Sequence, residues 1–292
     1  MVNFGQAERD IQHHFVIGQF VTFQNQKYKI EKVGKPKCPR GRGEPKTDVY
    51  ILLKNTNKEI EFKISYKKEN ADFLENKISA ERAEQILGDD WKLIIENITR
   101  QLAKEFESKS LIYKTGHYTG SITLGWKFEF VNKKNGMLSE KILLTPEQCF
   151  EVYSGSKLSD IKRNATVNGE KILNSGVANY ILQGDKFSSA QEVLEHIEPL
   201  EEYVARCPEV YFACKALNYR TFVNKFDGDR PLAVQVDWNI DNGKLIPKLV
   251  FNQPLQWNGH AVKDKLVDSL KRLGIRTTDD ISEKNAEINC IY

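Results

Sequence analysis

Acidic and basic side chains that could hold a metal ion are concentrated in one predicted β-hairpin near the N-terminus. An apolar run at residues 49–53 follows Asp48, and residues 59–65 alternate between apolar and polar types. That alternation is typical of a half-buried strand. The polar residues 55–58 favour a turn. The sequence therefore predicts two antiparallel strands joined by a short loop.

This hairpin is predicted to bring Asp48, Glu61 and Lys63 to one end of a small sheet. If the turn closes at residues 55–58, Asp48 lies across from the 61–65 end of its partner strand. Glu61 and Lys63 share a face because successive strand side chains alternate. Burying such charges costs free energy unless they are paired or bind a metal.

Two neighbouring carboxylates favour a hard divalent cation, so we expect Mg²⁺, with Mn²⁺ able to substitute. Such an ion polarises a phosphodiester and lowers the pKa of a bound water, while a nearby lysine stabilises the developing negative charge. These groups suit hydrolysis of a nucleic-acid backbone. The alternative is a solvated surface hairpin whose charged face meets only water.

At these residues the chain resembles the PD-(D/E)XK nuclease superfamily, in which an aspartate on one strand and an acid-x-lysine on the next form the metal site. Asp48 would be the first acid, Glu61 the second and Lys63 the lysine, while Thr47 replaces the proline of the family pattern. The resemblance implies that Asp48, Glu61 and the carbonyl of Phe62 hold the metal and that Lys63 orients the attacking water.

The run Pro-Lys-Thr-Asp at 45–48, with Lys-x-Ser-x-Lys-Lys at 63–68, is also similar to some type II restriction endonucleases. The resemblance covers roughly residues 40–90. It implies Mg²⁺-dependent, site-specific hydrolysis of double-stranded DNA that leaves 5′-phosphates. It also implies a homodimer and a cognate DNA methyltransferase as genetic partner in a restriction-modification system.

Members of the superfamily often add an acid from an N-terminal helix to the metal site. Residues 3–15 are predicted to form a short helix that carries Glu8. Glu8 and Glu44 are therefore both candidates for an additional metal ligand, and the sequence leaves the choice between them open.

Cations and amide side chains in predicted loops are candidates for DNA contacts. Glycines and cations at 34–43 suit phosphate binding, and amides beside an arginine at 162–169 could bond base edges. A hairpin predicted around Asn135-Gly136 carries two lysines at its tip. The predicted DNA-contacting residues are Arg40, Arg42, Lys46, Ser65, Lys67, Lys68, Lys133, Lys134, Arg163 and Asn164.

The predicted fold is α/β, with a restriction-endonuclease-like core, meaning a mixed central sheet flanked by helices, and a β-rich C-terminal half. We place the catalytic core at residues 1–115. Residues 116–292 form a predicted β-rich region for DNA recognition or dimerisation, which could be continuous with the core. The chain of 292 residues is long enough for one large or two modest domains.

Composition indicates a soluble, cytoplasmic protein. The net charge is +3, which neither requires nor excludes nucleic acid as a partner. No apolar run approaches the roughly 18 residues of a membrane span, and no signal pattern is present at the N-terminus. The five cysteines lack the spacing of a zinc site or a disulfide framework.

Two other functions remain open from the sequence. One is a structure-specific or non-specific DNA repair or phage nuclease of the same superfamily. The other is a non-catalytic nucleic-acid-binding module that carries a chance acidic hairpin.

Overall fold

The computed structural model describes residues 4–40, 43–69, 72–206 and 208–292. Over these ranges the chain is a mixed α/β protein, as predicted. None of the helices within them is both long and apolar enough to cross a membrane. Arg42, one of the predicted DNA contacts, lies outside the described residues.

Helices and strands both occur in the N-terminal and C-terminal halves of the described chain. The α-helices are α1 (Phe4–His14), α2 (Ala80–Leu87), α3 (Trp91–Gln101), α4 (Ala103–Glu107), α5 (Pro146–Ser154), α6 (Asp160–Arg163), α7 (Ala190–His196), α8 (Leu200–Ala205) and α9 (Gly259–Arg272). The strands are β1 (Phe20–Phe23), β2 (Gln26–Gly34), β3 (Val49–Lys54), β4 (Glu59–Lys67), β5 (Phe73–Glu75), β6 (Ile112–Tyr113), β7 (Ser121–Val131), β8 (Ser139–Lys141), β9 (Thr166–Val167), β10 (Glu170–Lys171), β11 (Tyr180–Gln183), β12 (Glu198–Pro199), β13 (Tyr211–Arg220), β14 (Lys225–Phe226), β15 (Val234–Asp241) and β16 (Lys244–Val250).

The chain divides into two compact units, each built from two separate segments. Unit 1 contains residues 1–72 and 144–208, and unit 2 contains residues 73–143 and 209–292. A boundary at residue 115 does not describe this division, because β11 pairs in parallel with β4 and so adds a late segment to the sheet of the first strands. The unit that contains the predicted hairpin therefore comprises residues 1–72 and 144–208 instead of the predicted core of 1–115.

Unit 1 is organised around a mixed sheet with the strand order β1-β2-β3-β4-β11-β12. The first four strands form an antiparallel meander that includes the hairpin predicted from residues 48–65. Ile11 of α1, Phe15 just after α1 and Val193 of α7 join Ile51 and Phe62 in one buried cluster. Helices α1 and α7 therefore cover the apolar face of this sheet.

Helix α5 shows how local sequence sets an element boundary in unit 1. Thr145 accepts a hydrogen bond from the Gln148 backbone, and the Gln148 side chain bonds back to the Thr145 backbone. Pro146 occupies the first turn, and Gly155 ends the helix with a φ of 69°. This capping box and left-handed C-cap satisfy backbone groups that the helix leaves unpaired.

Unit 2 is built on a sheet in which β7 pairs with β13 on one side and β15 on the other. Trp238 of β15 is buried, and its Nε1 donates a hydrogen bond to the Thr123 carbonyl at 2.9 Å. Gly125 of β7 has a φ of 148°, and a Cβ added there would lie 2.5 Å from the Val234 carbonyl oxygen. Close packing of β7 against β15 thus requires glycine at this position.

The hairpin predicted around Asn135-Gly136 does not form. Strands β7 and β8 each pair with β13 instead of with each other. The Asn135 N–H donates to the Ser139 hydroxyl at 3.0 Å, and that hydroxyl donates to the Phe212 carbonyl at 2.7 Å. Ser139 therefore ties the loop to β13.

Helices α2, α3 and α4 follow one another between Ala80 and Glu107. Phe73–Glu75 forms strand β5, which pairs with β7. All of these elements belong to unit 2.

Candidate functional site

The hairpin of β3 and β4 positions Asp48 directly before its first strand. Val49 lies opposite Ile64. Asp48 donates its N–H to the Ile64 carbonyl at 2.8 Å and accepts the Tyr66 N–H on Oδ2 at 2.8 Å. Continuing the register places Ser65 across from Asp48.

The same register separates Asp48 from Glu61 and Lys63. Glu61 lies opposite Leu52 and Lys63 opposite Tyr50. Glu61 is therefore four residues from the position across from Asp48, which is roughly 13 Å along the strand. One ion cannot bind both carboxylates, so the predicted grouping of Asp48, Glu61 and Lys63 requires correction. Phe62 lies opposite Ile51 and is likewise not beside Asp48.

Glu61 and Lys63 take part in a separate polar cluster on the hairpin. Glu61 accepts a hydrogen bond from the Tyr50 hydroxyl, and its Oε2 lies 3.8 Å from Nζ of Lys63. Asn179 accepts the Lys63 N–H at 2.7 Å and donates to the Glu61 carbonyl at 3.0 Å. Because Asn179 directly precedes β11, these contacts attach β11 to β4.

A different set of charges surrounds Asp48. Glu8 of α1 and Lys67 at the end of β4 both act on its carboxylate. Lys35, just after β2, forms an ion pair with Glu8, whose side chain is only 13% exposed. Two carboxylates and two ammonium groups, from α1, the residue before β3, the end of β4 and the loop after β2, therefore interact electrostatically at one end of the sheet.

Burial and the neighbouring charges shift the pKa of Asp48. Burial raises the pKa of Asp48 to about 6, and the charge of Glu8 acts in the same direction, while the charges of Lys67 and Lys35 and the Tyr66 N–H oppose the rise. Perturbed carboxylates of this kind are concentrated at functional sites.

Lys35 balances the acids around it. Burial lowers the pKa of Lys35, but the hydrogen bond to Glu8 and the charges of Glu8, Asp48 and Glu44 outweigh it and raise that pKa. Both acids that the sequence proposed as additional ligands, Glu8 and Glu44, therefore lie in the field of Lys35. Glu8 is the one that also acts on Asp48.

The donor set fits Mg²⁺ better than a metal that needs a dedicated protein cage. No group of three or more His, Cys, Asp or Glu side chains arranged for a metal exists among the described residues. Mg²⁺ usually takes only one or two carboxylates, with water and substrate phosphate completing its shell. Asp48 and Glu8 supply two carboxylates, and neutralising their charges is favourable because both are partly buried.

The predicted DNA-contacting residues of unit 1 differ in how far they are exposed to solvent. Arg40 is exposed, and Lys67 and Lys68 are partly buried near the candidate site. Lys46 is partly buried, and its N–H donates to the Gly176 carbonyl at 3.0 Å. Ser65 is only 1% exposed, so it is not presented to a ligand at the surface.

Arg163 and Asn164 act within their own loop. Arg163 donates from Nη2 to Oδ1 of Asn174 at 3.2 Å, and Asn164 accepts the Asn174 N–H at 2.9 Å. In unit 2, Lys133 and Lys134 are exposed, and Lys134 is paired with Glu140 at 2.7 Å.

Sequence reasoning did not include Lys35 in the site and gave Lys67 only a role in binding DNA. The signal for Lys67 was available: Ser65-Tyr66-Lys67 has a lysine two residues after a polar residue on the second strand, as the acid-x-lysine pattern does. The strand pairing places Ser65, four residues beyond Glu61, across from Asp48.

Comparison with protein-family models, with curated proteins and with solved structures found no match to this chain. The function is therefore inferred from the side chains around Asp48.

We expect the stability of the metal-free protein to fall between about pH 4 and pH 6 relative to the Asp48→Asn variant. Burial raises the pKa of Asp48 from 3.8 to about 6, so the folded state holds this proton more tightly than the unfolded state. The favourable contribution is complete below pH 4 and is lost as the pH rises through 6. Two pKa units correspond to about 3 kcal/mol.

Urea unfolding in chelator across this pH range measures the effect. Subtracting the Asp48→Asn curve removes the contributions of all other titrating groups. A difference that does not change between pH 4 and pH 7 would contradict a raised pKa at Asp48.

Proposed function

We propose that this protein is a divalent-metal-dependent nuclease that hydrolyses phosphodiester bonds of double-stranded DNA. The observation that carries the proposal is the convergence of Asp48, Glu8 and Lys67 at one end of the unit 1 sheet. Two partly buried acids beside a lysine are the groups that metal-assisted phosphodiester hydrolysis requires.

The surroundings of the cluster support this assignment. A mixed sheet covered by helices, with an aspartate at the start of one strand and a lysine on the next, agrees with the resemblance to the PD-(D/E)XK nucleases. The chain departs from that pattern because Ser65 stands where the second strand acid would be expected. Glu8 of α1 offers the missing carboxylate.

In the proposed reaction Asp48 and Glu8 hold the cation. When bound, the ion would polarise the phosphodiester and lower the pKa of a water molecule. The Tyr66 N–H fixes one oxygen of Asp48, so this carboxylate is oriented before substrate arrives. Such preorganisation reduces the reorganisation needed in the transition state.

Lys67 is proposed to orient the attacking water and to stabilise the charge on the phosphorane. The water oxygen forms a bond to phosphorus, the bond from phosphorus to the 3′-oxygen breaks, and the departing 3′-oxygen takes up a proton. The products carry a 5′-phosphate and a 3′-hydroxyl. Lys35 holds Glu8 in place through their ion pair.

Within this class we propose a type II restriction endonuclease. The Pro-Lys-Thr-Asp run at 45–48 and the Lys-x-Ser-x-Lys-Lys run at 63–68 support this, because both are similar to sequences of such enzymes. A homodimer acting on a symmetric site and a cognate methyltransferase follow from the resemblance.

The test is incubation of the purified protein with unmethylated plasmid DNA, with Mg²⁺, Mn²⁺ or chelator, followed by sequencing of the fragment ends. We expect cleavage with either metal and none in chelator, with discrete bands whose ends share one sequence and carry 5′-phosphates. Smeared or branch-specific cutting would indicate a nuclease of the repair type instead. DNA left intact under every metal and sequence condition would overturn the nuclease proposal.

A further inference from the structure

Unit 2 contains an open groove of about 460 Å³ over β7 and β13. Its lining combines cations with aromatic rings and includes Lys109, Tyr113, Tyr118, Trp126, Lys215 and Arg220. Tyr118 is 54% exposed. A positively charged surface that also carries aromatic rings fits nucleic acid better than a neutral ligand.

Arg220 is held at this groove by a network of hydrogen bonds centred on Asp227. Asp227 Oδ1 accepts from Nε of Arg220 at 3.0 Å and lies 2.9 Å from its Nη2. Asp227 Oδ2 accepts the N–H and the Nδ2 of Asn218 at 3.1 and 3.2 Å. Asn218 in turn accepts from the Thr123 hydroxyl at 3.2 Å. Both carboxylate oxygens of Asp227 are thus engaged, Oδ1 by the Arg220 guanidinium and Oδ2 by Asn218.

The remaining donors of Arg220 face away from this support. A guanidinium has five N–H groups in a fixed plane, and Asp227 engages the edge formed by Nε and Nη2. Nη1 and the outer N–H of Nη2 make the end-on edge, which has no partner among the described residues. The Arg220 side chain is 56% exposed, so this edge is accessible.

Two parallel donors on a rigid plane match the O6 and N7 acceptors of guanine in the major groove. Because Asp227 already fixes the side chain, little conformational entropy is lost when the arginine binds. We propose that Arg220 reads a guanine of double-stranded DNA and that Asp227 is its positioning residue. The inference rests on the proposed function only in taking double-stranded DNA as the ligand.

The test is selection of bound duplexes from a random library in the presence of chelator, with the full chain carrying Asp48→Asn so that no DNA is cut. We expect the selected sequences to contain a fixed guanine. Arg220→Gln and Arg220→Lys should both lose that guanine, because lysine keeps the charge but not the planar pair of donors. Affinity for the selected site should fall about 10- to 100-fold, with little change for random duplex.

Asp227→Asn should weaken the same preference without abolishing binding, since the arginine remains but is held less firmly. Arg100→Gln is the matched control. Arg100 is an arginine of unit 2 that is 52% exposed and donates from Nε to Glu96 at 2.8 Å, and it does not line the groove. We expect Arg100→Gln to leave the selected sequence unchanged.

A guanine preference that survives Arg220→Gln would overturn the inference. So would an equal loss of affinity on all sequences with a weaker salt dependence, because that result identifies a phosphate contact. The absence of any sequence preference in the parent protein would also overturn it. Since nothing is cleaved in this experiment, its outcome is separate from the plasmid test of nuclease activity.

Discussion

Replacing Asp48 with asparagine is expected to lower metal-dependent DNA cleavage by at least about 1,000-fold, a typical loss when a principal electrostatic group of a hydrolytic site is removed. Asparagine retains an oxygen that can accept the Tyr66 N–H, so the hairpin should fold normally. Only the carboxylate that is proposed to bind the cation is lost. DNA affinity in chelator should change by no more than a few-fold.

Two measurements distinguish this result from simple misfolding. The first is cleavage rate at saturating Mg²⁺. The second is the rise in melting temperature on adding Mg²⁺, which reports binding to the folded state and should disappear in Asp48→Asn.

Glu61→Gln is the control that separates the site around Asp48 from the site expected from sequence. Because Glu61 lies opposite Leu52 and binds Tyr50 and Lys63, its loss should leave the Mg²⁺-dependent rise in melting temperature intact. If Glu61→Gln removed that rise and Asp48→Asn did not, the assignment of the metal site to Asp48 and Glu8 would be wrong.

Lys67→Met is expected to reduce the cleavage rate by about 100-fold or more and to move the acidic limb of the pH–rate profile to higher pH. The rate falls because a cation that stabilises the transition state is removed. The limb moves because the Lys67 charge holds down the pKa of Asp48. Without that charge, Asp48 loses its proton only at a higher pH.

Lys63→Met provides the matched comparison on the same strand. Lys63 is 14% exposed and paired with Glu61, so its replacement should affect stability but leave the pH profile in place. Rates measured from pH 5.5 to 8.5 at saturating Mg²⁺ test both variants. If the acidic limb of the pH–rate profile shifted in Lys63→Met but not in Lys67→Met, the catalytic role would belong to Lys63 instead.

Local pattern was sufficient to predict the hairpin beside the candidate site. Residues 55–58 closed the predicted turn, where Oδ1 of Asn55 accepts the N–H groups of Asn57 and Lys58. Asp48 lies across from Ser65, at one end of the predicted 61–65 stretch, and Glu61 lies at the other end. The prediction grouped Asp48 with Glu61 because it treated these four residues of strand, which span roughly 13 Å, as one site.

Two Asn-Gly pairs in the sequence are found in different structures. Asn242 and Gly243 both adopt positive φ and join β15 to β16 as a hairpin. Asn135 and Gly136 resemble them in sequence, yet β8 pairs with β13. An Asn-Gly pair permits a tight turn, but long-range pairing determines whether the flanking strands use it.

The contribution of Glu8 depends on tertiary structure in the same way. Sequence identified Glu8 and Glu44 as equal candidates, because nothing local to either residue indicates which one faces Asp48. That choice is made by the packing of α1 on the sheet through Ile11 and through Phe15, which follows the helix. The Arg220 network of unit 2 was not predicted either, because it depends on the turn that brings Asp227, just after β14, back beside Arg220 at the end of β13.

The parallel pairing of β11 with β4 has a consequence for how the protein is made. Residues 73–143 belong to unit 2 and are synthesised between these two strands. At translation rates of 5–20 residues per second, β11 emerges on the order of ten seconds after β4. During that interval the strand bearing Lys67 is an open edge capable of pairing with other chains. Nascent polypeptide therefore needs protection from aggregation until its second half leaves the ribosome.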